Sequence, residues 1–249
     1  MATDTQTAGE HGPAYLAHHF DTPAQQFDTA KLAMWVFLAQ EMLFFSGLFV
    51  AYVVFRFWYP TAFSVGSHLL DWKMGGINTM VLLFSSFTAV MAVQRAQLGD
   101  KKGTSLFLLV TIACAFGFMI VKYFEYSHKI HVGILPGKYF GCPGFDCTAA
   151  PPEEFYAEVE HAISSAYANA GPGLVPYHIR TFYGIYFVMT GLHGIHVLVG
   201  IGIILWIWKR NQRGEFSKDF NTPVDLVALY WHLVDLIWIY LFPLLYLID

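Results

Sequence analysis

The chain has 249 residues, of which 56% are hydrophobic, 18% aromatic and 13% charged. A soluble domain carries about 25% charged residues, so this composition is typical of a protein that buries apolar surface in a bilayer. The net charge of −4 comes without a clustered Lys/Arg face, which argues against nucleic-acid binding.

The N-terminal region is polar, and we predict a cytoplasmic segment over residues 1–30. It lacks the basic region and apolar core of a secretory signal peptide. The membrane domain is expected over residues 31–249, with its first helix acting as the insertion signal.

Five apolar runs have the length of about 20 residues that is needed to cross the hydrocarbon core. The predicted fold class is therefore an all-α integral membrane protein. It is a bundle of five transmembrane helices with a large extracytoplasmic loop between the third and fourth helices. The predicted helices span residues 32–57, 75–94, 105–126, 182–208 and 224–248, and the loop spans residues 127–180.

Two short connections, residues 94–104 and 209–223, carry seven of the 14 Lys and Arg residues. By the positive-inside rule both connections are cytoplasmic. With five helices, the N-terminus is then cytoplasmic and the C-terminus is extracytoplasmic. We predict a multi-pass protein of the inner (plasma) membrane.

The predicted outer loop contains a helical pattern over residues 151–168. Pro151 and Pro152 precede Glu153 and Glu154, and apolar side chains then follow at intervals of four. Cys142 and Cys147 lie just before this helix. An extracytoplasmic loop favours a disulfide between them, and the alternatives are free thiols or a metal clip.

Ionisable side chains inside the predicted spans are candidate functional residues, since burial of charge in a membrane is costly. Glu41 lies near the middle of the first span. Its functional interpretation is a proton-handling or protein-interface residue. The alternative is a carboxyl that hydrogen-bonds a neighbouring helix.

His193 and His196 lie three residues apart in the fourth span, and His232 and Asp235 are spaced alike in the fifth. Haem ligation by His193 and His232 is one interpretation. No Cys or carboxylate cluster completes a ligand set, so a pair between Asp235 and a histidine of another helix is preferred. We predict no metal site in this chain.

Lys122 and Glu125 are spaced for an ion pair within the third span. Both fall near its outer end, so we expect them to snorkel towards the interface. The sequence contains no phosphate-binding Gly loop, nucleophile elbow or zinc-protease motif, and no catalytic residue is predicted.

Several segments, in the same order along the chain, resemble the cytochrome c oxidase subunit III family. AQEMLFF (39–45) is similar to its S-E-x-M-F-F segment, with Gln40 in place of the usual Ser. TGLHGIHV (190–197) and YWHLVDLIW (230–238) match its T-G-x-H-G-x-H-V and Y-W-H-F-V-D-x-x-W motifs. KYFEY (122–126) and the segment that begins at Asn78 resemble two further helices.

The resemblance implies a non-catalytic subunit of an aa3-type haem–copper cytochrome c oxidase in aerobic respiration. Such a subunit packs on subunit I, binds phospholipids and supports proton uptake and enzyme stability. Haem a and copper are expected only in partner subunits. Carried over by motif, the buried polar positions are Glu41, His193, His196, His232 and Asp235. Candidates for interface or lipid contact are Asn78, Lys122, Glu125, Trp231 and Trp238.

The chain departs from the seven-helix form of this family, because the two helices that would precede Lys31 are missing. A small subunit is a candidate source of that helix pair. Subunits I and II, and other respiratory complexes, are further expected partners. The long outer loop suggests a docking surface for a neighbouring subunit or an electron donor.

Alternatives to a cytochrome c oxidase remain open. Within related complexes, they are the subunit III homologue of a quinol oxidase or of a nitric oxide reductase. From other classes, they are a haem b anchor protein and a proton-coupled transporter. The transporter hypothesis predicts inverted repeats and broken helices, and neither is found in the sequence.

Overall fold

The computed structural model describes residues 15–166 and 178–248, and within them the ordered elements are helical. Five helices are long and apolar enough to cross a membrane, which confirms the predicted all-α fold with five transmembrane helices. The seven α-helices are α1 (Pro23–Trp58), α2 (Pro60–His68), α3 (Trp72–Gln97), α4 (Lys101–Val132), α5 (Glu153–Ala166), α6 (Ile179–Gln212) and α7 (Thr222–Tyr246). Two short 3-10 turns, Gly137–Tyr139 and Pro143–Phe145, lie between α4 and α5.

Several membrane helices extend beyond the apolar runs that predicted them. α1 begins at Pro23 rather than at residue 32, because the Thr22 side chain accepts a hydrogen bond from the Gln25 backbone N–H and caps the helix. Residues 23–30 of the predicted polar segment are therefore helical. α4 continues to Val132 and ends at Gly133, whose φ of +91° suits a helix C-cap.

The region predicted as an outer loop is only partly a loop. Its first residues, 127–132, belong to α4, and its last two belong to α6. The predicted helix over 151–168 is found as α5, while residues 167–177 lie outside the described part of the chain. The nine-residue α2 was not predicted, since the sequence between the first two spans was interpreted as a connection.

Four membrane helices form the core of the bundle, and α1 packs at its side. α3 packs on α4 and α7, and α6 also packs on α4 and α7, which closes a ring. The buried residues of α1 are Leu38, Phe45 and Tyr52, each seven positions from the next. This spacing is that of a single packing stripe. Most of the α1 surface is therefore left to lipid or to partner chains.

The two Lys/Arg-rich connections lie at the same end of the bundle. The Lys101 ammonium donates to the backbone carbonyl of Gln212 at 2.6 Å. The Asn211 amide donates to the Ser105 hydroxyl at 2.8 Å. Both connections therefore lie at one end of the bundle, as the predicted topology requires.

Of the glycines in α6, Gly200 makes the closest approach to another helix. A Cβ at this position would lie 2.7 Å from the Trp231 ring of α7, which is fully buried. A Cβ at Gly194 or Gly202 would meet nothing within 4 Å. Close approach of α6 to α7 therefore depends on one glycine rather than on the whole series.

Replacing Gly200 with Ala is expected to destabilise the protein by about 1–3 kcal/mol, because the new methyl group displaces the Trp231 ring. Gly194→Ala, on the same helix, is the matched control and should be neutral or stabilising by up to about 1 kcal/mol. Thermal unfolding in mild detergent measures both. Equal changes in the two variants would show that the α6–α7 contact does not limit stability.

Candidate functional site

Glu41 of α1 and His196 of α6 meet at the boundary between α1 and the rest of the bundle. The His196 Nε2 atom lies 3.0 Å from Glu41 Oε2. The His196 side chain is 18% exposed, and the Glu41 side chain is 15% exposed. Two residues that the sequence singled out separately therefore form one acid–imidazole pair.

The hydrogen bonds of His196 fix how many protons this pair holds. Its Nδ1 atom lies 2.8 Å from the Leu192 carbonyl oxygen, which can only accept, so Nδ1 carries a proton. The Nε2–Oε2 contact then requires one further proton, on either the imidazole or the carboxyl. The pair has no net charge in both arrangements, which is the form that an apolar environment tolerates.

An apolar groove of about 340 Å³ adjoins this pair between α1, α6 and α7. Phe37, Ile195 and Val199 form its rim and are 38–57% exposed. Tyr230 also lines the groove, and its hydroxyl donates to the backbone carbonyl of His196 at 3.0 Å. The shared proton therefore faces an apolar compartment at the side of the bundle.

Glu125 is the centre of a second polar cluster, which we call the Glu125 network. Its carboxylate accepts hydrogen bonds from Lys122 (2.7 Å), Lys129 (3.0 Å), Tyr186 (2.7 Å) and Tyr246 (2.6 Å). These residues belong to α4, α6 and α7. The network therefore joins three membrane helices through one carboxylate.

The predicted ion pair of Lys122 with Glu125 is present, but the expected snorkelling is wrong. Lys122 and Lys129 are 8% and 4% exposed, and the Glu125 side chain is 8% exposed. They turn inward because α6 and α7 supply two tyrosine hydroxyls and aromatic faces. The Lys122 ammonium also lies 4.5 Å from the centre of the Trp238 ring.

Lys129, Tyr186 and Tyr246 were not predicted from the sequence. A signal existed for Lys129, since it follows Glu125 by four residues, but the third span was predicted to end at residue 126. The two tyrosines lie 61 and 121 positions from Glu125. No pattern within a single helix relates residues at such distances.

Four of the five candidates for interface or lipid contact are buried inside the chain, and Glu125 is half-buried. Trp231 and Trp238 are fully buried, and Asn78 is 1% exposed. The Trp231 indole donates to Ser85, and the Trp238 indole donates to Thr79. The two indoles, like Lys122 and Glu125, join helices of the bundle, and contact of the five candidates with lipid or a partner stays a prediction.

His193, His232 and Asp235 do not form the predicted pair between helices. His193 is fully buried, with its ring packed against those of Phe118 and Trp238. The Nδ1 atom of His232 lies 2.6 Å from the hydroxyl of Ser86 on α3. Asp235 lies beside the same serine, but no described group hydrogen-bonds its oxygens in standard geometry. The serines and aromatic rings of neighbouring helices take the place of a partner carboxylate.

Metal ligands do not cluster in the described part of the chain. Within residues 15–166 and 178–248, no three His, Cys, Asp or Glu side chains are placed to hold a metal ion. The two histidines considered for haem ligation contact different groups, an aromatic pocket for His193 and Ser86 for His232.

The structure joins Cys142 and Cys147 in a disulfide that closes a short turn before α5. Within this turn, Asp146 accepts hydrogen bonds from the hydroxyl and the backbone N–H of Thr148. These bonds lower the pKa of the Asp146 carboxyl. The tip of the turn is therefore anionic, and Phe145 beside it is 51% exposed.

Comparison with known proteins relates the whole chain to one class of membrane subunit. A family model described as cytochrome c oxidase subunit III matches residues 176–249. The chain is 27% identical to cytochrome c oxidase subunit 3 of Synechocystis sp., over 98% of this chain and 82% of the relative. It is 26% identical to quinol oxidase subunit 3 of Bacillus spizizenii, over 96% of both chains.

A further relative is a longer protein, the heme–copper oxidase subunit I+III of Aeropyrum pernix. The identity is 29%, and 96% of this chain matches 24% of that protein. By its name, that protein combines subunits I and III in one chain.

Proposed function

We propose that the chain belongs to the cytochrome c oxidase subunit III family and is the non-catalytic subunit III of an aa3-type cytochrome c oxidase in aerobic respiration. The observation that carries the proposal is similarity to oxidase subunit 3 proteins over nearly the entire chain, together with five apolar helices. A haem–copper oxidase subunit of this kind is a multi-pass membrane protein. Its purification with haem-bearing partners, described at the end of the Discussion, tests the assignment.

Subunit I is the partner that the comparisons favour. The combined subunit I+III of Aeropyrum pernix supports close association of the two in related oxidases. We place haem a and copper in subunits I and II of the proposed complex. The largely unburied surface of α1 is suited to further partners, including a small subunit, and to bound phospholipid.

The Glu41–His196 pair is the basis for the proposed role in proton uptake. The pair holds one proton that can move between Oε2 and Nε2 without changing the net charge. Moving a proton between these two atoms places no net charge in the apolar environment, where an unpaired charge is costly. The proposed role concerns the proton environment of the complex, with no bond-making chemistry in this chain.

Replacing Glu41 with Gln should leave assembly intact but slow proton uptake by the complex several-fold. The Gln amide can still donate a hydrogen bond to His196 Nε2, while the shared proton is removed. Proton uptake and oxygen consumption in proteoliposomes measure the effect.

Glu41→Leu is the companion variant. It removes both the hydrogen bond and the proton, so it should reduce stability as well as proton uptake. Wild-type uptake in Glu41→Gln would exclude the proposed role of the pair and leave the α1 contact as its function.

A quinol oxidase subunit III is the second candidate function. Quinol oxidase subunit 3 of Bacillus spizizenii matches 96% of this chain, as extensively as the cytochrome c oxidase relatives. Oxygen uptake by the purified complex with reduced cytochrome c, but not with a quinol, would favour the aa3-type assignment.

The transporter hypothesis finds no matching feature in the described spans. It predicts helices broken at mid-membrane. α1, α3, α4, α6 and α7 are each assigned as one uninterrupted helix, and Pro243 lies only near the end of α7.

A further inference from the structure

The Glu125 network holds more positive than negative groups. Lys122 lies 2.7 Å from Glu125 Oε2 and Lys129 lies 3.0 Å from Oε1, so two ammonium groups share one carboxylate. Both lysines are almost fully buried. With both protonated, the network carries one surplus positive charge, and an unpaired charge inside a membrane protein is costly. Loss of one proton makes the network neutral.

The surroundings of Lys122 supply no second anion in the part of the chain that the structure describes. The charged groups that act on its ammonium are Glu125 and Lys129, both on its own helix. α3 buries only uncharged residues. α6 and α7 present aromatic side chains to this region: Tyr186 and His193 from α6, and Trp238 and Tyr246 from α7. Loss of a proton, rather than a further protein carboxylate, therefore relieves the surplus charge.

A cavity of about 750 Å³ opens beside this network, between the corner of α2 and α3, the last turns of α4, and α5. α4 begins in one of the Lys/Arg-rich connections, so the cavity lies at the opposite end of the bundle. Glu125 and Lys129 line it, together with His128, whose side chain is 58% exposed. Lys122 lies behind Glu125, outside the cavity wall. Glu125 therefore stands between the enclosed lysine and the open cavity.

Two hydrogen-bonded routes connect Lys122 with Glu125. The direct route is the 2.7 Å contact between Lys122 Nζ and Glu125 Oε2. The second passes through the Tyr246 hydroxyl, which accepts from Lys122 at 2.6 Å and donates to Glu125 Oε1 at 2.6 Å. A phenol hydroxyl both donates and accepts, so Tyr246 can donate to the Lys122 amine once the proton has left. Both protonation states of Lys122 therefore have a hydrogen-bond partner.

We propose that the Glu125 network is a proton-exchange site that opens to the compartment at the C-terminal end of α4. Lys122 passes a proton to the Glu125 carboxylate, and the resulting carboxyl passes it to water in the cavity. The ammonium becomes an amine, the water becomes hydronium, and Glu125 returns to its carboxylate form. Uptake of a proton is the reverse. Lys129 keeps its charge, because it borders the cavity.

This site is separate from the Glu41–His196 pair. The two share no residue, and the groove beside that pair shares no lining residue with the cavity beside Glu125. The proposal depends on the hydrogen bonds of this chain and is independent of the oxidase assignment.

The experiment follows the exchange of the Lys122 ammonium protons with water. The full chain, in the membrane complex with which it is purified, is labelled with nitrogen-15 lysine and studied by nuclear magnetic resonance. The Lys122 signals are those absent from Lys122→Met, a variant that leaves the balanced pair of Glu125 and Lys129. The backbone N–H of Lys122 is the internal reference, because a helical N–H exchanges only when the helix opens.

In the wild type, the Lys122 ammonium should exchange much faster than the backbone N–H of the same residue, because exchange through Glu125 needs no opening of the helix. Glu125→Gln keeps a hydrogen-bond acceptor but cannot take up the proton. It should slow ammonium exchange by about a hundredfold or more, the lower end of the effect of one positioned acid–base group.

Tyr186→Phe is the matched control for Glu125→Gln. It removes another hydrogen bond of Glu125 at a fully buried position and leaves both hydrogen bonds of Lys122 in place. Its ammonium exchange should stay at the wild-type rate. Loosening of the bundle accelerates exchange, so it cannot imitate the slowing expected for Glu125→Gln.

Two results would overturn the proposal. One is a wild-type ammonium that exchanges as slowly as the backbone N–H, which would mean that Lys122 reaches water only when the helix opens. The other is a Glu125→Gln variant that exchanges at the wild-type rate while its backbone N–H stays protected, which would show that protons bypass the carboxylate. If Glu125→Gln does not accumulate, the wild-type comparison still applies, because it needs no variant of Glu125.

Discussion

Replacing Glu125 with Gln should destabilise the protein by about 3 kcal/mol or more, the cost of removing one partner from a buried ion cluster. In the wild type, one carboxylate neutralises part of the charge of Lys122 and Lys129, both of which are almost fully buried. Gln is similar in shape and keeps a hydrogen-bond acceptor. The variant therefore isolates the loss of charge, which leaves two unpaired ammonium groups inside the bundle.

The matched control for this prediction is Glu154→Gln, the same chemical change at an exposed position of α5. Thermal unfolding in detergent and the yield of protein in membranes are the measurements. Glu125→Gln should unfold at a clearly lower temperature than the control.

A triple variant, Lys122→Met/Glu125→Leu/Lys129→Met, removes all three charges and should be less harmful than Glu125→Gln, because no charge is left unpaired. Equal stability of Glu125→Gln and Glu154→Gln would show that the Glu125 network does not hold α4, α6 and α7 together.

Replacing Trp238 with Ala should destabilise the protein by about 3–5 kcal/mol, the range for removing a large buried aromatic side chain. Its ring is fully buried on α7, 4.9 Å from the ring of Phe118 on α4 and 5.1 Å from that of His193 on α6, between centroids. The lipid around the bundle is as apolar as the interior, so the loss comes from the void and from the broken contacts. The variant also removes the ring that faces the Lys122 ammonium.

Trp35→Ala on α1 is the matched control, since Trp35 is 61% exposed. In the isolated chain, this substitution should change the free energy of unfolding by about 0.5 kcal/mol or less, as for other exposed positions. Unfolding in detergent, followed by tryptophan fluorescence and circular dichroism, compares the two variants. Similar losses in both would mean that Trp238 is not part of a packed core.

The membrane spans could be predicted from the sequence because length and apolarity alone decide which segments enter a bilayer. The ends of the helices could not be predicted in this way, because a helix continues beyond its apolar run as far as the residue that caps it. Thr22 at the start of α1 and Gly133 at the end of α4 show this. α2 was missed for a related reason, since nine residues at a membrane surface show no span-length apolar run.

The buried polar residues could be identified from the sequence, but their partners could not. Glu41 and His196 are 155 positions apart, and only the packing of α1 on α6 brings them together. For Asp235 the error is the opposite one, because a pair with a histidine of another helix was predicted and none forms with His193. Two ionisable residues in neighbouring helices need not face each other. Which residues face inward depends on how each helix is rotated about its own axis. The apolar periodicity of a membrane helix carries little information about that rotation.

The most direct test of the proposed function is affinity purification of this chain from its native membranes in mild detergent, with an optical spectrum and identification of the copurifying subunits. The subunit III assignment predicts a haem a-type absorbance and a large, haem-bearing subunit I in the purified material. A colourless preparation without partner subunits would contradict it and would bring the transporter hypothesis back into consideration.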